Sequence, residues 1–529
     1  MKKRRDDRQP SRRTFVKKAA ASTVASGALL AGCGPEKEPA KPRLERLSDD
    51  PFSPVNLPGR DNYRRPPGWG PSIRSSWDAK NVIVIMLDSF RADHLGAFGN
   101  SKAHTPNLDR FAAESTLFTR CYPEGLPTIP VRTSLFSGKF TYPFRPWQVL
   151  HPEDHPLLAE ILWSEGFRSC LVSDTYHMHK PGYGFSRGFD DVIWLRGQEG
   201  DPYVRDPRIQ VDIEPFYKSR TGEPKEADQI RQYLSNRHDW QSEDDHFTPR
   251  VMGHALDWLN SRERKENLFL WIDSFCPHEP WDPPDRFLKL AAPDFGGKRL
   301  ILPTPGDSEG YLDAEEMNGI LSLYAAVVAF VDHCVGNFLD EIKRIGLYDN
   351  TMIVIGTDHG EPFGDHGIIR KARPWAYEEL AHTFLMIREP GGRGVERVES
   401  YVQLTDVTAT ILDHLGIAPP PAMTSRSLLP LILGREEKVR DFAVCCHYGK
   451  SVNLRHDNWS YHYFLDGDAK KKEGSKLFKE GPELYNTADD PTEHNNLIAA
   501  EPERAEAMDR MARDFTRELV EHEQQFIEA

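Results

Sequence analysis

Thr128 and Arg132 belong to a Thr-x-Pro-x-Arg pattern within residues 125–138. Pro130 fits the first turn of a helix, where its missing N–H costs nothing, and Gly138 is typical of a helix end. We therefore predict a helix with Thr128 at or just before its cap, where backbone N–H groups and the helix dipole favour an oxyanion. Arg132, one turn further on, can offer its guanidinium to the same anion. The pattern also fits an ordinary helix start with a surface arginine.

Polar side chains also follow three apolar segments that we predict to be buried strands. Asp88, His278 and the Asp358-His359 pair each stand just after such a segment. Burying these groups without partners is costly, and the carboxyl edge of an open α/β sheet is where ligands bind, so we predict one shared site. Taken singly, each also fits a structural role, as a strand-end cap, a hydrogen-bonded core histidine or a loop anchor.

These residue types suit a metal-assisted reaction. Asp88, Asp358 and His359 supply two carboxylates and an imidazole, and the Thr128 hydroxyl can complete the ligand set of one divalent cation, calcium, manganese, zinc or magnesium. The cation would lower the pKa of the hydroxyl, so Thr128 is predicted to be a nucleophile as well as a ligand.

Three basic residues are predicted to bind the substrate. Arg132, His278 and Lys371 can neutralise the nonbridging oxygens of a tetrahedral ester during in-line attack. Lys371 lies between Arg370 and Arg373 and therefore also fits a solvated basic surface.

The segments that must position these residues alternate between two patterns. Apolar, β-branched runs predict strands at 81–87, 117–122, 167–173, 267–273 and 351–356, and capped segments predict helices at 105–115, 155–165, 249–262 and 313–345. This alternation predicts an α/β fold with a large, mostly parallel sheet between helices, within a domain at 80–433.

Two further regions differ from that alternation. Residues 197–245 are polar and mixed in charge, which predicts an insertion outside the sheet. Beyond residue 433, short strands at 442–447, 451–453 and 459–464 and a helix at 503–521 predict a smaller C-terminal α+β subdomain at 434–529.

The N-terminus has the pattern of an export signal. The Arg12-Arg13 pair precedes an apolar run at 19–30, as in twin-arginine signals, and Leu29 to Cys33 resemble a bacterial lipobox. We predict a signal peptide at 1–32, a lipid on Cys33 as the membrane contact, a proline-rich tether at 33–79 and an extracytoplasmic location such as the periplasm. A transmembrane anchor is disfavoured because the apolar run is short.

Charge and cysteine content exclude other classes. Residues 1–32 carry nine Lys/Arg and two Asp/Glu, so the formal net charge of −14 becomes −21 without them. Nucleic acid is therefore excluded as a partner. Six further cysteines have no disulfide-framework or metal-ligand spacing, which predicts mostly buried thiols.

The motifs together resemble the sulfatase branch of the alkaline phosphatase superfamily. Residues 88–96 resemble its first metal motif, residues 277–284 its PHxPxxPP loop and residues 357–367 its SDHGExxGDHG segment. The resemblance runs from about residue 81 to the C-terminus. It implies an alkaline phosphatase-like α/β fold, a mixed but mostly parallel sheet, and one bound divalent metal ion.

Two positions depart from the sulfatase pattern. Sulfatases carry Cys or Ser, oxidised to formylglycine, where this chain has Thr128, and the sequence contains no C/S-x-P-x-R elsewhere. No formylglycine is therefore expected, and relatives with a Thr nucleophile act mainly on phosphate esters or transfer phospho-headgroups. Ser89 stands where many sulfatases have a second Asp ligand.

The resemblance to sulfatases favours a sulfate ester, whereas the threonine nucleophile favours a phosphate ester. The sequence predicts a metal-dependent hydrolase of a sulfate or phosphate ester of a small molecule or glycan, with Thr128 as nucleophile. A phosphodiesterase or phosphonate hydrolase, a headgroup transferase and an inactive binding protein of the same fold are the alternatives. The sequence leaves the metal, the organic group and the oligomeric state open.

Overall fold

The computed structural model describes residues 81–372, 375–392, 394–464 and 481–527. The predicted signal peptide, Cys33 and the tether lie outside the described residues. The strands found within them are β1 (Asn81–Leu87), β2 (Thr116–Tyr122), β3 (Gly125–Leu126), β4 (Arg168–Ser173), β5 (Asp191–Trp194), β6 (Leu268–Ser274), β7 (Gly306–Asp307), β8 (Thr351–Thr357), β9 (Ile368–Ile369), β10 (Thr383–Arg388), β11 (Arg397–Val398), β12 (Val402–Gln403), β13 (Phe442–His447), β14 (Ser451–His456), β15 (Trp459–Phe464) and β16 (Glu483–Asn486). The α-helices of the same residues are α1 (Pro106–Ala113), α2 (Thr128–Ser137), α3 (Leu158–Ser164), α4 (Asp228–Asn236), α5 (Phe247–Asn260), α6 (Asp285–Ala291), α7 (Ala314–Arg344), α8 (Glu378–Ala381), α9 (Asp406–His414), α10 (Leu429–Ile432) and α11 (Pro502–Ile527).

Strand β1 occupies the centre of the larger sheet. Every residue of β1 is buried, and the strand pairs in parallel with β6 on one side and β8 on the other. The odd-numbered residues from Ile83 to Leu87 enter one hydrophobic cluster and the even-numbered residues from Val82 to Met86 enter a second. Because side chains alternate across a strand, these two clusters cover the two faces of the sheet.

The larger sheet confirms the predicted fold class. Its strand order among the described residues is β11-β2-β10-β8-β1-β6-β4-β5, with β12 also paired to β2, which makes nine strands. All the pairings are parallel except those of β10 with β2 and β8. Side chains of α1, α4, α5 and α7 enter the cluster on one face and those of α2, α3 and α9 the other. The carboxyl ends of β1, β4, β6 and β8 therefore lie along one edge.

Helix α7 is the longest helix of the main core. Its first turn is closed by a capping box, in which Asp313 accepts from the Glu316 N–H at 2.9 Å and Glu316 accepts from the Asp313 N–H at 3.0 Å. The helix is long and apolar enough to cross a bilayer, but 72% of its most apolar window is buried inside the protein. It is accordingly a core helix of the α/β sandwich.

A second sheet has the order β16-β15-β14-β13-β3, and α11 packs against it. Strand β14 extends to His456, three residues beyond the predicted end at 453. The reason is a tight hairpin, in which Asp457 and Asn458 take positive φ angles of 47° and 62° between the paired His456 and Trp459. The boundaries of the two predicted domains stay predictions.

Strand β3 links the C-terminal sheet to the predicted nucleophile. It ends two residues before Thr128 and pairs in parallel with β13, where His447 is opposite Leu126. No sequence pattern predicts this pairing. It brings the C-terminal sheet next to the start of α2.

Residues 197–245 contain the helix α4 and, as far as the structure describes them, no strand. Several of their side chains are buried in the main cluster, among them Tyr217, Ile230 and Leu234. The described cysteines are all free and five of the six are buried, which confirms the predicted buried thiols.

Candidate active site

The ends of β1 and β8 bring the predicted metal ligands together. Leu87 and Thr357 pair in register as the last residues of two parallel strands. One candidate ligand atom from each of Asp88, Asp358 and His359 lies within 4.8 Å of the others, and all three residues are completely buried. The structure thus gathers at one sheet edge the residues that the sequence predicts to share a site.

His359 has a fixed tautomer. Its Nδ1 lies 2.8 Å from the carbonyl oxygen of Gly360, which only accepts, so Nδ1 carries the proton and Nε2 keeps its lone pair. Gly360 is required here because a Cβ atom would lie 2.1 Å from the carbonyl oxygen of Glu379. Burial lowers the pKa of His359 to about 4, which keeps the imidazole neutral at pH 7.

The surroundings of Asp88 suit a cation. Ser89, with φ of 60°, donates its N–H to Oδ1 of Asp358 at 3.0 Å and its hydroxyl to Oδ1 of Asp88 at 2.9 Å. Oδ2 of Asp88 accepts no hydrogen bond from the described residues. Burial and the charge of Asp358 raise the pKa of Asp88 well above its usual value. Two buried carboxylates beside a neutral imidazole therefore fit a divalent cation.

Thr128 points at this cluster from the start of α2. It is the first residue of the helix, and Gly138, in the left-handed region at φ 67°, follows the last residue as predicted. Oγ1 of Thr128 lies 3.2 Å from Nε2 of His359, and the residue is 2% exposed. The hydroxyl is therefore at the cluster and at the positive end of the helix dipole.

Arg132 lies with carboxylates rather than in a substrate cavity. Its Nε and NH2 donate to the two oxygens of Asp273 at 3.1 and 2.9 Å, and its NH2 lies 3.2 Å from Oδ2 of Asp88. Its NH1 donates to Asp358, and the side chain is completely buried. The structure thus places Arg132 where it offsets three aspartates, whereas the sequence analysis expects it on the substrate oxygens. Asp273 in β6 is not among the residues that the sequence predicts to form the site.

A cavity of about 350 Å³ opens beside Thr128. It combines residues from the sheet edge, the insertion and the C-terminal sheet. Its lining residues are Pro127, Thr128, Trp147, His177, Glu199, His278, Glu279, Pro305, Arg370, Lys371 and Tyr448.

His278 lines the cavity as a neutral group. Its Nδ1 lies 2.7 Å from the carbonyl oxygen of Glu279, so Nδ1 carries the proton and Nε2 is the acceptor. Its ring stacks on Phe275 with centroids 3.9 Å apart. Burial, together with the charge of Lys371, lowers the pKa of His278 to about 3. A neutral His278 can accept a hydrogen bond through Nε2 but brings no positive charge of its own.

Lys371 is held in the cavity wall and is not on a solvated surface. Its Nζ pairs with Glu361, lies 3.3 Å from Oε2 of Glu279 and donates to Oγ of Ser89 at 3.4 Å. Although burial acts to lower it, the pKa of Lys371 is raised by the charges of Glu279 and Glu361. Lys371 is therefore a permanent cation close to Asp88.

A family model described as Sulfatase matches residues 80–417, which is more than half of the chain. The chain belongs to the sulfatase family. A second model, described as the C-terminal part of N-sulphoglucosamine sulphohydrolase, matches residues 364–525. Both matches confirm the resemblance and the expected class of a sulfuric ester hydrolase-like enzyme. Sulfatases generally bind a divalent metal ion, and the cluster of Asp88, Asp358 and His359 is the candidate site for it in this sulfatase.

Individual relatives agree with this assignment. An arylsulfatase of Clostridium perfringens is 26% identical over 491 residues, covering 84% of this chain and 95% of that protein. A solved phosphonate monoester hydrolase of Agrobacterium radiobacter has a TM-score of 0.61 at 19% identity, covering 84% of this chain and 96% of its own. A solved protein in complex with its substrate D-glucosamine-2-N,6-O-disulfate has a TM-score of 0.62 at 19% identity. The match covers 84% of this chain and 98% of that protein's chain. These two structures share the fold of this sulfatase.

Part of the cavity wall consists of residues that were not predicted from the sequence. His177 follows β4 at the same edge as the predicted ligands, so the strand-end argument already applied would have found it. Oε2 of Glu199 lies 3.0 Å from Nε2 of His177, and Oε1 lies 3.8 Å from NH2 of Arg370. Glu199 comes from the 197–245 insertion and Tyr448 from the end of β13, and no sequence pattern marks either residue.

Proposed function

We propose that this protein hydrolyses a sulfate or phosphate ester with the help of a divalent cation and with Thr128 as the nucleophile. The observation that carries this proposal is the 3.2 Å distance between Oγ1 of Thr128 and Nε2 of His359. The hydroxyl adjoins two buried carboxylates and a neutral imidazole, and it lines a cavity of about 350 Å³. This is the environment of an activated nucleophile.

Asp88, Asp358, His359 and the Thr128 hydroxyl would hold the cation. A divalent cation at such a site lowers the pKa of a neighbouring hydroxyl and attracts the charged oxygens of an ester. The hydrogen bond from Nδ1 of His359 to Gly360 keeps the ring turned so that Nε2 faces the site. Calcium, manganese, zinc and magnesium all suit this mixed oxygen and nitrogen set.

The chain's own residues support attack and release. The Thr128 oxygen forms a bond to sulfur or phosphorus while the bond to the ester oxygen breaks, and that oxygen takes up a proton. Lys371 and the start of α2 offset the negative charge of the transferred group. Water then cleaves the threonine ester, because threonine lacks the second hydroxyl by which formylglycine hydrate expels sulfate. The neutral Nε2 of His278 can accept a hydrogen bond from that water and orient it.

The charges of the cavity wall support an ester with one negative charge. Glu199 and Glu279 balance Arg370 and Lys371 among the described lining residues. A sulfate monoester, a phosphate diester and a phosphonate monoester each carry one negative charge, whereas a phosphate monoester carries almost two near pH 7. The names of an arylsulfatase and a phosphonate monoester hydrolase among the relatives fit the same charge.

The test is a panel of esters with matched variants. Aryl sulfate, phosphate monoester, phosphate diester and phosphonate monoester substrates are each assayed with calcium, manganese, zinc or magnesium and after chelation. We expect turnover of a singly charged ester that chelation abolishes. Thr128→Ala should reduce it by at least about a thousandfold, as for removal of other covalent nucleophiles, and Thr128→Ser should retain part of it.

Three results would contradict the proposal. Unchanged turnover in Thr128→Ala would remove the nucleophile assignment. Transfer of the group to an added alcohol in preference to water would indicate a headgroup transferase. Ester binding without turnover for every metal would indicate a binding protein.

We also propose export by the twin-arginine route and lipidation at Cys33. The support is the order of the basic pair, the apolar run and the Leu-Leu-Ala-Gly-Cys segment. Replacing both Arg12 and Arg13 by Lys should leave the full-length precursor in the cytoplasm. Cys33→Ala should abolish incorporation of labelled palmitate, and persistent labelling of that variant would contradict the assignment.

A further inference from the structure

Two aromatic side chains from distant parts of the chain meet in the cavity wall. Trp147 lies in the segment after α2, and Tyr448 follows β13. Their ring centroids are 6.3 Å apart with planes inclined by 38°, and both line the cavity with Thr128. A third ring could stack between them only if the two rings were about 7 Å apart, which is twice the best carbon–carbon contact distance. The pair therefore forms one aromatic wall and not a slot.

Other contacts fix this wall in place. The indole N–H of Trp147 donates to the hydroxyl of Tyr183 at 3.3 Å, and the ring meets that of His177 edge-on at 5.1 Å. The backbone N–H of Tyr448 donates to the carbonyl oxygen of Leu126 in β3 at 3.0 Å. Since Leu126 stands two residues before Thr128, the wall is tied to the nucleophile through the backbone.

Packing does not account for Tyr448. It is half-buried and belongs to none of the hydrophobic clusters of the described residues. Its φ of 53° is uncommon for a bulky residue. Of the eight non-glycine residues with positive φ in the described chain, three line the cavity, namely Glu199, Arg370 and Tyr448. Such backbone conformations concentrate at ligand-binding positions.

The remaining wall charges are already paired. Arg370 donates to Glu279 and lies 3.8 Å from Glu199, while Lys371 pairs with Glu361 and Glu279. A second anionic group on a substrate would meet Glu199 and Glu279 without an uncompensated cation among the described lining residues. The wall therefore disfavours polyanionic substrates.

We propose that Trp147 and Tyr448 form the leaving-group site for a six-membered ring, aryl or pyranose, whose only charge is the scissile ester. This inference rests on the proposed function and names its substrate class. The face of such a ring stacks on the aromatic wall while its ester reaches Thr128. The cavity of about 350 Å³ is at the small end for ligand sites and accommodates one ring with its ester group.

Binding to the metal-loaded Thr128→Ala variant, measured by calorimetry, tests the inference without turnover. The probes are phenyl sulfate, a singly sulfated galactose, hexyl sulfate as an acyclic ester and a doubly sulfated galactose. The matching phenyl and hexyl methyl phosphate diesters are measured in parallel, because the proposed function leaves the central atom open. We expect the singly charged ring esters to bind roughly tenfold more tightly than the acyclic and the doubly sulfated esters.

Further substitutions in the Thr128→Ala variant test whether Trp147 and Tyr448 cause the preference for ring esters. Trp147→Ala and Tyr448→Ala should each weaken ring-ester binding by roughly tenfold and leave hexyl ester binding within about twofold. Trp147→Phe and Tyr448→Phe keep a ring and should retain most of the affinity. Tyr203→Ala is the matched control, because Tyr203 is 54% exposed and lies outside this cavity.

The outcomes separate this inference from the proposed function. Equal binding of ring and hexyl esters in both series, tighter binding of the doubly sulfated sugar, or equal loss for all esters in the Ala variants would overturn the ring site. Preference for phenyl over galactose esters, or the reverse, identifies which ring it takes. Unchanged turnover in Thr128→Ala would overturn the nucleophile, yet this binding order would still hold.

Discussion

Arg132 and Asp273 form a completely buried, two-point ion pair, with Nε to Oδ2 at 3.1 Å and NH2 to Oδ1 at 2.9 Å. The same guanidinium also contacts Asp88 and Asp358. One arginine thus links the start of α2 to the ends of β1, β6 and β8. This relationship places Arg132 where it can hold the candidate metal ligands Asp88 and Asp358 in position.

Arg132→Met should therefore destabilise the fold. It leaves three buried carboxylates without their cation, a change that typically costs about 3–5 kcal/mol in the free energy of unfolding. Arg132→Lys keeps the charge but not the planar guanidinium, so its free energy of unfolding should lie between those of Arg132→Met and the wild type. Urea denaturation measures the effect, with Arg513→Met on the exposed face of α11 as a control expected to change stability by less than about 1 kcal/mol. Unchanged stability with weaker substrate binding would instead support the substrate contact expected from the sequence.

His278 should stay neutral in the free protein across the working pH range. Its pKa of about 3 follows from burial and the charge of Lys371, so its imidazole should show no titration between pH 5 and pH 8 by NMR. An anion bound in the cavity should raise that pKa, because it stabilises the imidazolium. Lys371→Met should raise it as well. A midpoint near the ordinary value of 6.5 in the free protein would contradict this geometry.

Glu199→Gln should test the contribution of the insertion. Burial acts to raise the pKa of Glu199, but the hydrogen bond from His177 and the charge of Arg370 outweigh it and hold the pKa at about 2, so the residue is ionised at pH 7. The variant keeps the shape but loses the charge, and it should reduce kcat/KM by roughly tenfold, the equivalent of one charge-assisted hydrogen bond. Steady-state kinetics measure this effect, with the exposed Glu223→Gln of the same insertion as control. Equal kinetics for the two variants would mean that Glu199 has only a structural role.

His447 should make stability fall in acid. Burial lowers its pKa to about 3, and neither ring nitrogen has a hydrogen-bond partner among the described residues. The folded pKa lies below the ordinary value of 6.5, so the stabilisation is complete above pH 6.5 and is lost as the pH falls. His447→Phe should therefore reduce the slope of unfolding free energy against pH below 6.5 by up to about 1.4 kcal/mol per pH unit.

His382 is a control whose contribution to stability should change with pH in the opposite direction to that of His447. Although burial acts to lower it, Glu378 and the carbonyl oxygen of Thr119 raise the pKa of His382. Its stabilisation is present below the ordinary pKa and is lost as the pH rises through the folded value. His382→Asn should thus remove stability at pH 5 more than at pH 8 in urea denaturation. The same sign for the two histidine variants would contradict the assigned environments.

Element types were predictable because they depend on local patterns. The predicted bounds of β1, β13 and β15 agree with the structure, since continuous apolar or β-branched runs and turn residues specify them. Helix α3 begins at Leu158 and not at 155, because Pro156 restricts His155 and the Glu160 side chain accepts the Leu157 N–H at 2.8 Å. Both contributions to that boundary could have been read from neighbouring residues.

The partners within the site were less predictable. Asp88, Asp358 and His359 were expected to lie together because parallel strands end at one edge of a sheet. The strand ends do not specify which carboxylates reach Arg132, since that depends on the register of β6 against β1. The role of Tyr448 likewise requires the pairing of β13 with β3, whose members are more than 300 residues apart in the sequence.

The sequence by itself indicated the family, through the resemblance of its ordered motifs, and the sheet edge that gathers Asp88, Asp358 and His359, because periodicity and strand ends are local properties. Only the tertiary structure decided that Arg132 pairs with Asp273, that Lys371 pairs with Glu361, and that Trp147, Glu199 and Tyr448 share one cavity. These contacts join segments that no short-range pattern connects. Burial then sets their protonation, because the cost of a charge depends on the neighbours that packing brings to it.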